Sequence, residues 1–267
     1  MRFWGAFALA ASLAPRAVIA QPPPETIRAF RQYSASVAAR VKEDQSAGTL
    51  LRLASGSRLA RLRAGQILTV SAGSLGLRPE IAIPHGQVQH WIGAAFVPHT
   101  TIARVLPGLQ DYSNRKRYMK PVIVESRVLS RNGNDFQVYL RLVQQPLITA
   151  VFDVTLRIAY RPTDATHLII ESNSESVREV PSVDSPPGTP AHDRGFIWAL
   201  DDYWRFAEQD GGVYVECEAL VLSRQVPAVF RWIASGIIAR VSERMLEGTL
   251  KSTARTMQDS APETRLR

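Results

Sequence analysis

Apolar residues recur at spacings of three and four near both ends of the chain and alternate with polar ones over most of what lies between. Toward the front, Ile27, Phe30, Ser34, Val37 and Val41 fall on one stripe of an amphipathic helix over Thr26 to Asp44. Arg28, Arg31 and Lys42 lie mostly outside that stripe, and Ser46-Ala47-Gly48 ends it. At the back, Pro227 to Met257 reads as one long helix, with Pro227 at the first helical position, where a missing N–H costs nothing. Phe230, Ile233, Ile237, Val241 and Met245 make its apolar stripe. At a rise of 1.5 Å per residue it would run roughly 45 Å. A helix of that length needs a broad apolar surface to lie across.

The middle supplies one. Gln87 to Val97 reads as a strand that stops at Pro98, and Thr100 can cap a helix starting at Thr101. Pro107-Gly108 should break that helix after about two turns, leaving a second short helix over Leu109 to Ser113. Alternation then marks Pro121 to Ser130, Asp135 to Val143, Thr149 to Tyr160, His167 to Val180, Phe196 to Glu208 and Val213 to Ser223 as strands. Tight turns at Asn132-Gly133-Asn134, Pro162 to Ala165 and Gln209 to Gly212 make them an antiparallel meander. The loop Pro181 to Arg194 carries four prolines and a glycine. Residues 49–84 read as short strands, such as Gly65 to Val70, punctuated by glycine and proline.

The last hairpin fixes which side chains share a face. With the turn at Asp210-Gly211, Phe206 sits opposite Val215 and Trp204 opposite Cys217. Trp198, Leu200, Trp204, Phe206, Val215, Cys217 and Ala219 then form an apolar face. Tyr203, Arg205, Tyr214, Glu216 and Glu218 form the other. This polar face suits solvent, where a pair such as Arg205 with Glu216 is worth at most about 1 kcal/mol.

Of 267 residues, 45% are hydrophobic and 21% charged, which is enough to pack a large core. Cys217 is the single cysteine, which excludes an internal disulfide and a multi-cysteine metal site. Met1-Arg2, an uncharged run from Phe3 to Ala14, and Val18 and Ala20 before Gln21 follow the pattern of an export signal cut after Ala20. The run is too short to span a bilayer, which takes roughly 20 residues. The chain therefore divides into a signal peptide (1–20), an N-terminal helix and short-strand appendage (21–84), the strand-and-helix domain (85–258) and a disordered tail (259–267). Export points to a secreted, periplasmic location. The net charge is +8, with basic clusters at Arg58, Arg61 and Arg63 and at Arg115-Lys116-Arg117. These suit either a dispersed solvated surface or transient contact with an anionic membrane. Export argues against a nucleic-acid partner.

A strand, two short helices, an antiparallel meander and a closing helix give an α+β element order of the helix-grip kind. The residues His90-Trp91-Ile92-Gly93-Ala94-Ala95-Phe96, Tyr203-Trp204-Arg205-Phe206 and Tyr214-Val215-Glu216-Cys217-Glu218, together with the final helix, resemble the START-like (SRPBCC) superfamily. That superfamily includes polyketide cyclases, lipid-transfer domains and related small-ligand carriers, and the chain is similar to its secreted members of unknown function. The resemblance covers about 85–258 and implies a curved sheet gripping the last helix. It also implies a cavity between sheet and helix that often holds a lipid or other hydrophobic small molecule; no catalysis is expected, because the chain carries no catalytic motif.

On that reading the cavity wall would include Trp198, Trp204, Phe206, Val215, Phe230 and Ile237, which equally suit plain core packing. Tyr139 and Arg141 alternate with Phe136, Val138, Leu140 and Leu142. If the polar set faced inward, Tyr139, Arg141, Asp153 and Arg157 would meet a ligand headgroup; if outward, they would form ion pairs in solvent. Glu171, Asn173 and Glu175 share that choice. His90 and His99 flank the first strand, near a possible cavity mouth or simply at the surface. No metal spacing, phosphate loop, nucleophile elbow or dinucleotide motif occurs, and no cofactor is expected. Two alternatives remain: a cyclase or dehydratase with Tyr139, Asp153 and Glu171 converging on the cavity, and an interaction module whose cavity is filled by Trp198, Trp204 and Phe206. The loop Pro181 to Arg194 and the short helices around Pro107 are the candidate gates.

Overall fold

The computed structural model describes residues 21–145, 149–191, 194, 196–226 and 231–259, with 231–239 and 259 as backbone only. The front helix is α1 (Pro24–Ser46), one turn of it beginning with the proline that the first helical position tolerates. A second helix, α2 (Ser57–Arg63), stands in the stretch read as strands. Its sequence Ser-Arg-Leu-Ala-Arg-Leu-Arg is rich in strong helix formers, and Leu62 anchors it in the core. Next come β1 (Leu68–Ser71), β2 (Gly86–Pro98), α3 (Ile102–Gln110) and α4 (Arg115–Tyr118). The meander is β3 (Ile123–Asn132), β4 (Asp135–Gln144), β5 (Ala150–Pro162), β6 (His167–Val180), β7 (Ala199–Gln209) and β8 (Gly212–Arg224). The closing helix is α5 (Arg231–Asp259).

Pro107 does not break α3 but lies inside it. Buried Ile102, Val105 and Leu109 hold the helix down, and the Thr101 hydroxyl caps it by accepting from the Arg104 N–H. Tertiary anchoring thus outweighs the one backbone bond that proline removes.

The strands form one antiparallel sheet in the order β1-β2-β8-β7-β6-β5-β4-β3. Trp204 pairs with Cys217 and Phe206 with Val215, the register the Asp210-Gly211 turn demands. Irregular pairing at Thr155/Leu156 and Val128/Ser130 lets the sheet bend. On the inner face α5 crosses β2 at close range. A Cβ on Gly93 would sit 2.5 Å from Leu250 Cδ1 and 3.0 Å from Leu246 Cδ2, so glycine is what allows the helix to settle there. This is the helix-grip α+β architecture.

The outer face departs from expectation. Over β2, β7 and β8 it is not solvated, because α1 and the residues after it cover it, whereas farther along the sheet Arg157 and Glu175 pair at the surface as expected. Phe30, Tyr33, Val37 and Val41 pack on Val88, Ile169, Tyr203, Leu220 and Leu222. Leu53 and Leu62 pack on Ile92, Ala94 and Tyr214. The polar set of the last hairpin is sealed beneath, with Arg205, Glu216 and Glu218 at 0% exposure. Arg205 lies 2.7 Å from Glu218 and 3.2 Å from Glu216. Glu216 also accepts the backbone N–H groups of Arg52 and Leu53, and Arg40 of α1 reaches Glu218. Charges this deep persist only when paired and hydrogen-bonded. Burial lowers the pKa of His90, so the neutral ring accepts from Tyr33 at Nδ1 (2.9 Å) and donates from Nε2 to Glu218 (2.6 Å). Burial pushes the Glu218 carboxyl up, but the His90 bond and the Arg205 charge outweigh it and hold it at about 2. The appendage is therefore part of the fold: it closes a polar layer that would otherwise lie open.

Candidate functional site

The inner face carries the apolar set of every central strand. Leu140 and Leu142 of β4, Val154, Leu156 and Ile158 of β5 and Ile170 of β6 point under α5, together with Leu200, Trp204 and Phe206 of β7 and Cys217, Ala219 and Val221 of β8. Alternation at period two puts them there. Met245, Leu246, Thr249 and Thr253 of α5 form the roof, and Leu109, Tyr112, Arg115, Met119 and Val122 close one end. Between them remains an open cavity of about 210 Å³. Trp204 and Phe206 stack along one wall with ring centroids 6.3 Å apart and do not fill it.

Two polar features interrupt this lining. At the α3 end the Tyr112 hydroxyl donates to that of Tyr160, which donates to the Leu109 carbonyl, both at 2.7 Å. Burial pushes both phenols upward in pKa. Arg115 reaches the same carbonyl at 2.9 Å and lies over the Tyr112 ring. This cluster is satisfied within itself. The second feature is not. Asp202 and Ser172 are paired across β7 and β6, both on the cavity side. Neither side chain has a hydrogen-bond partner among the described residues.

The contrast with the preceding residue is direct. Asp201 points to the outer face, where it accepts from the Ser34 hydroxyl (2.5 Å) and the Ser174 N–H (3.1 Å). Arg31 lies 3.6 Å away. Asp202 points into the cavity among Leu200, Trp204 and Ala219. Burial, with the Asp201 charge behind it, pushes its carboxyl up to about 7. It keeps some accessible surface only because it faces the hollow.

Of the residues singled out by sequence, Trp204 and Phe206 line the cavity and Val215 packs behind Phe206 in the same core. Trp198 does not join them. It precedes β7, donates its backbone N–H to Leu222, and packs with the α1 cluster on the other side of the sheet. Tyr139 and Arg141 also face outward, because Leu140 and Leu142 take the inner positions. Tyr139 donates to Asp153, and Arg141 donates to Asp153 and to the carbonyls of Val183 and Ser185. They hold the loop after β6 onto the outer face, so neither a headgroup site nor a catalytic cluster of Tyr139, Asp153 and Glu171 forms in the cavity. The segment 182–185 is thereby fixed away from the cavity, whereas the short helices near Pro107 do border it. His90 is buried under α1 and His99 occupies a tight turn at φ 58°. Ile237 lies on α5 as backbone only; Phe230, His192-Asp193 and the signal segment lie outside the described residues.

Asp202 and Ser172 escaped the sequence reading. The signal that was available is alternation: Asp202 shares parity with Leu200, Trp204 and Phe206.

A bent sheet, a long gripping helix and a hollow between them define a helix-grip α+β fold. No protein-family model matches the sequence, and no curated protein matches it. Among solved structures the chain is similar to the STAR-related lipid transfer protein from Xanthomonas axonopodis, at 15% identity and a TM-score of 0.47 over 66% of this chain and 96% of that one. It is also similar to the Zhui aromatase/cyclase from Streptomyces sp. R1128 (12%, TM-score 0.47, covering 67% and 99%) and to human STARD10 (13%, TM-score 0.45, covering 67% and 71%).

Proposed function

We propose that the protein binds and carries a small hydrophobic molecule in the cavity under α5. The observation that supports this reading is a hollow of about 210 Å³ walled by aliphatic and aromatic side chains and left open by Trp204 and Phe206. A cavity of roughly 150 Å³ lined by such side chains holds benzene, so this one suits a single alkyl chain or a small ring system rather than a two-chain lipid. Burying eight methylenes at about 0.8 kcal/mol each yields roughly 6 kcal/mol before the costs of immobilisation. That is the affinity range of a carrier that must also release.

The same reading extends to delivery and place. Beside the cavity end, Lys116 and Arg117 are exposed next to Tyr118 (38% exposed) and Val122 (41%). Basic residues flanking apolar ones suit transient contact with an anionic membrane, at about 1 kcal/mol per basic residue. The pattern of residues 1–20 supports export with cleavage after Ala20, which N-terminal sequencing of the native protein checks.

The test is native mass spectrometry of the protein purified from its own host, followed by extraction. An apolar adduct of a few hundred daltons supports the reading. Protein that is empty, and that also takes up no alkyl probe, overturns it.

A further inference from the structure

We propose that Asp202 and Ser172 form the polar end of the cavity and select a guest with an apolar body and a protonated amine. This rests on the cavity being a binding site and names the class of molecule it takes.

Asp202 is the one acidic side chain lining the cavity among the described residues, and Arg115 the one basic one. Arg115 is already engaged with the Leu109 carbonyl and the Tyr112 ring at the α3 end. Nothing described compensates Asp202. Its neighbours on β7 are Leu200 and Trp204, its cross-strand neighbours Ala219 and Ser172. Asp201 behind it adds a second negative charge, not a positive one. A buried carboxyl left this way costs stability, whereas the adjacent Asp201 shows how readily this fold supplies partners.

The chemistry of the missing partner follows. A carboxylate on the guest would meet like charge in a low-dielectric site and be rejected. A guest hydroxyl would gain a single neutral or half-charged hydrogen bond. An alkylammonium has three donors, which can be shared between the Asp202 oxygens and Ser172 Oγ, and its charge stabilises the ionised form of Asp202. The group acting electrically on this carboxyl is Asp201 on its own strand, and the Cys217 thiol of β8 lines the same cavity; neither supplies positive charge.

Calorimetric titration of octylamine, octanol and octanoate at pH 7 tests this on the full mature chain. The expected order is octylamine, then octanol, then octanoate, with the amine about tenfold tighter than the alcohol, the typical worth of a charge-assisted bond. Asp202→Asn should bring amine and alcohol within about twofold, and Ser172→Ala should cut the amine preference by a few-fold. Equal binding of amine and alcohol to the wild type, or an amine preference that survives Asp202→Asn, overturns the inference while leaving the cavity reading intact. Failure of all three compounds to bind the wild type overturns both.

Discussion

An acid left alone in an apolar hollow should announce itself in how stability depends on pH. Asp202 titrates near 7 in the folded protein against an ordinary value of 3.8. Between those values the folded state holds a proton that the unfolded state has released, so stability falls as pH rises through that window. The penalty is absent below about pH 4 and complete above about pH 7. About three pH units at 1.36 kcal/mol each make it roughly 4 kcal/mol at most, and water entering the cavity reduces it. Asp202→Asn keeps the shape and removes the titration. Urea unfolding of both proteins at pH 4.5 and pH 8 measures the difference, in which the titrating groups common to both proteins largely cancel. The variant should gain on the wild type by about 2–4 kcal/mol between the two pH values. Parallel stabilities, within about 0.5 kcal/mol, would refute the placement of Asp202 in an uncompensated apolar site.

The packing makes further claims. Gly93→Ala drives a methyl into Leu250 and Leu246 and should cost about 1–3 kcal/mol in chemical unfolding, as overpacking does; no loss would mean that α5 does not rest on β2. Arg205→Ala removes the buried cation between Glu216 and Glu218 and should cost about 3–5 kcal/mol. Arg63→Ala, at the exposed pair with Asp210, should cost far less than Arg205→Ala in the same assay. A chain starting at residue 85 lacks the cover over Leu220, Leu222 and the Arg205 layer; it should fail to give a cooperative unfolding transition, and a stable fragment would contradict the role given to α1.

Period-two alternation and turn chemistry made the meander legible, down to the Trp204–Cys217 register, because each one-residue slip would flip a whole face. The closing helix was legible from its apolar spacing, but its buried apolar positions among the described side chains are Leu246, Leu250 and Met257, with Met245 of the expected stripe on the cavity. What stayed hidden was the second layer of burial. Tyr203, Arg205, Glu216 and Glu218 alternate as a solvated face does, and only α1 lying across them turns surface ion pairs into a sealed network. Trp198 went to the wrong side because parity holds within a strand and it precedes β7. Tyr139 and Arg141 left two faces open to choice, decided by Leu140 and Leu142 packing inward. Asp202 was invisible as chemistry because an acid next to an acid reads as surface; its meaning lies in the absence of described partners, a tertiary fact.

The central claim is that the space between the sheet and α5 receives an apolar guest. Methyl-resolved NMR of the protein titrated with octanol tests it most directly. Saturable shifts should appear at Leu140, Leu156, Ile158, Ile170 and Met245, which line the cavity, while Val37 and Leu62, packed on the other side of the sheet, stay still. Shifts confined to surface methyls, or none at all up to the solubility limit of the alcohol, would contradict it.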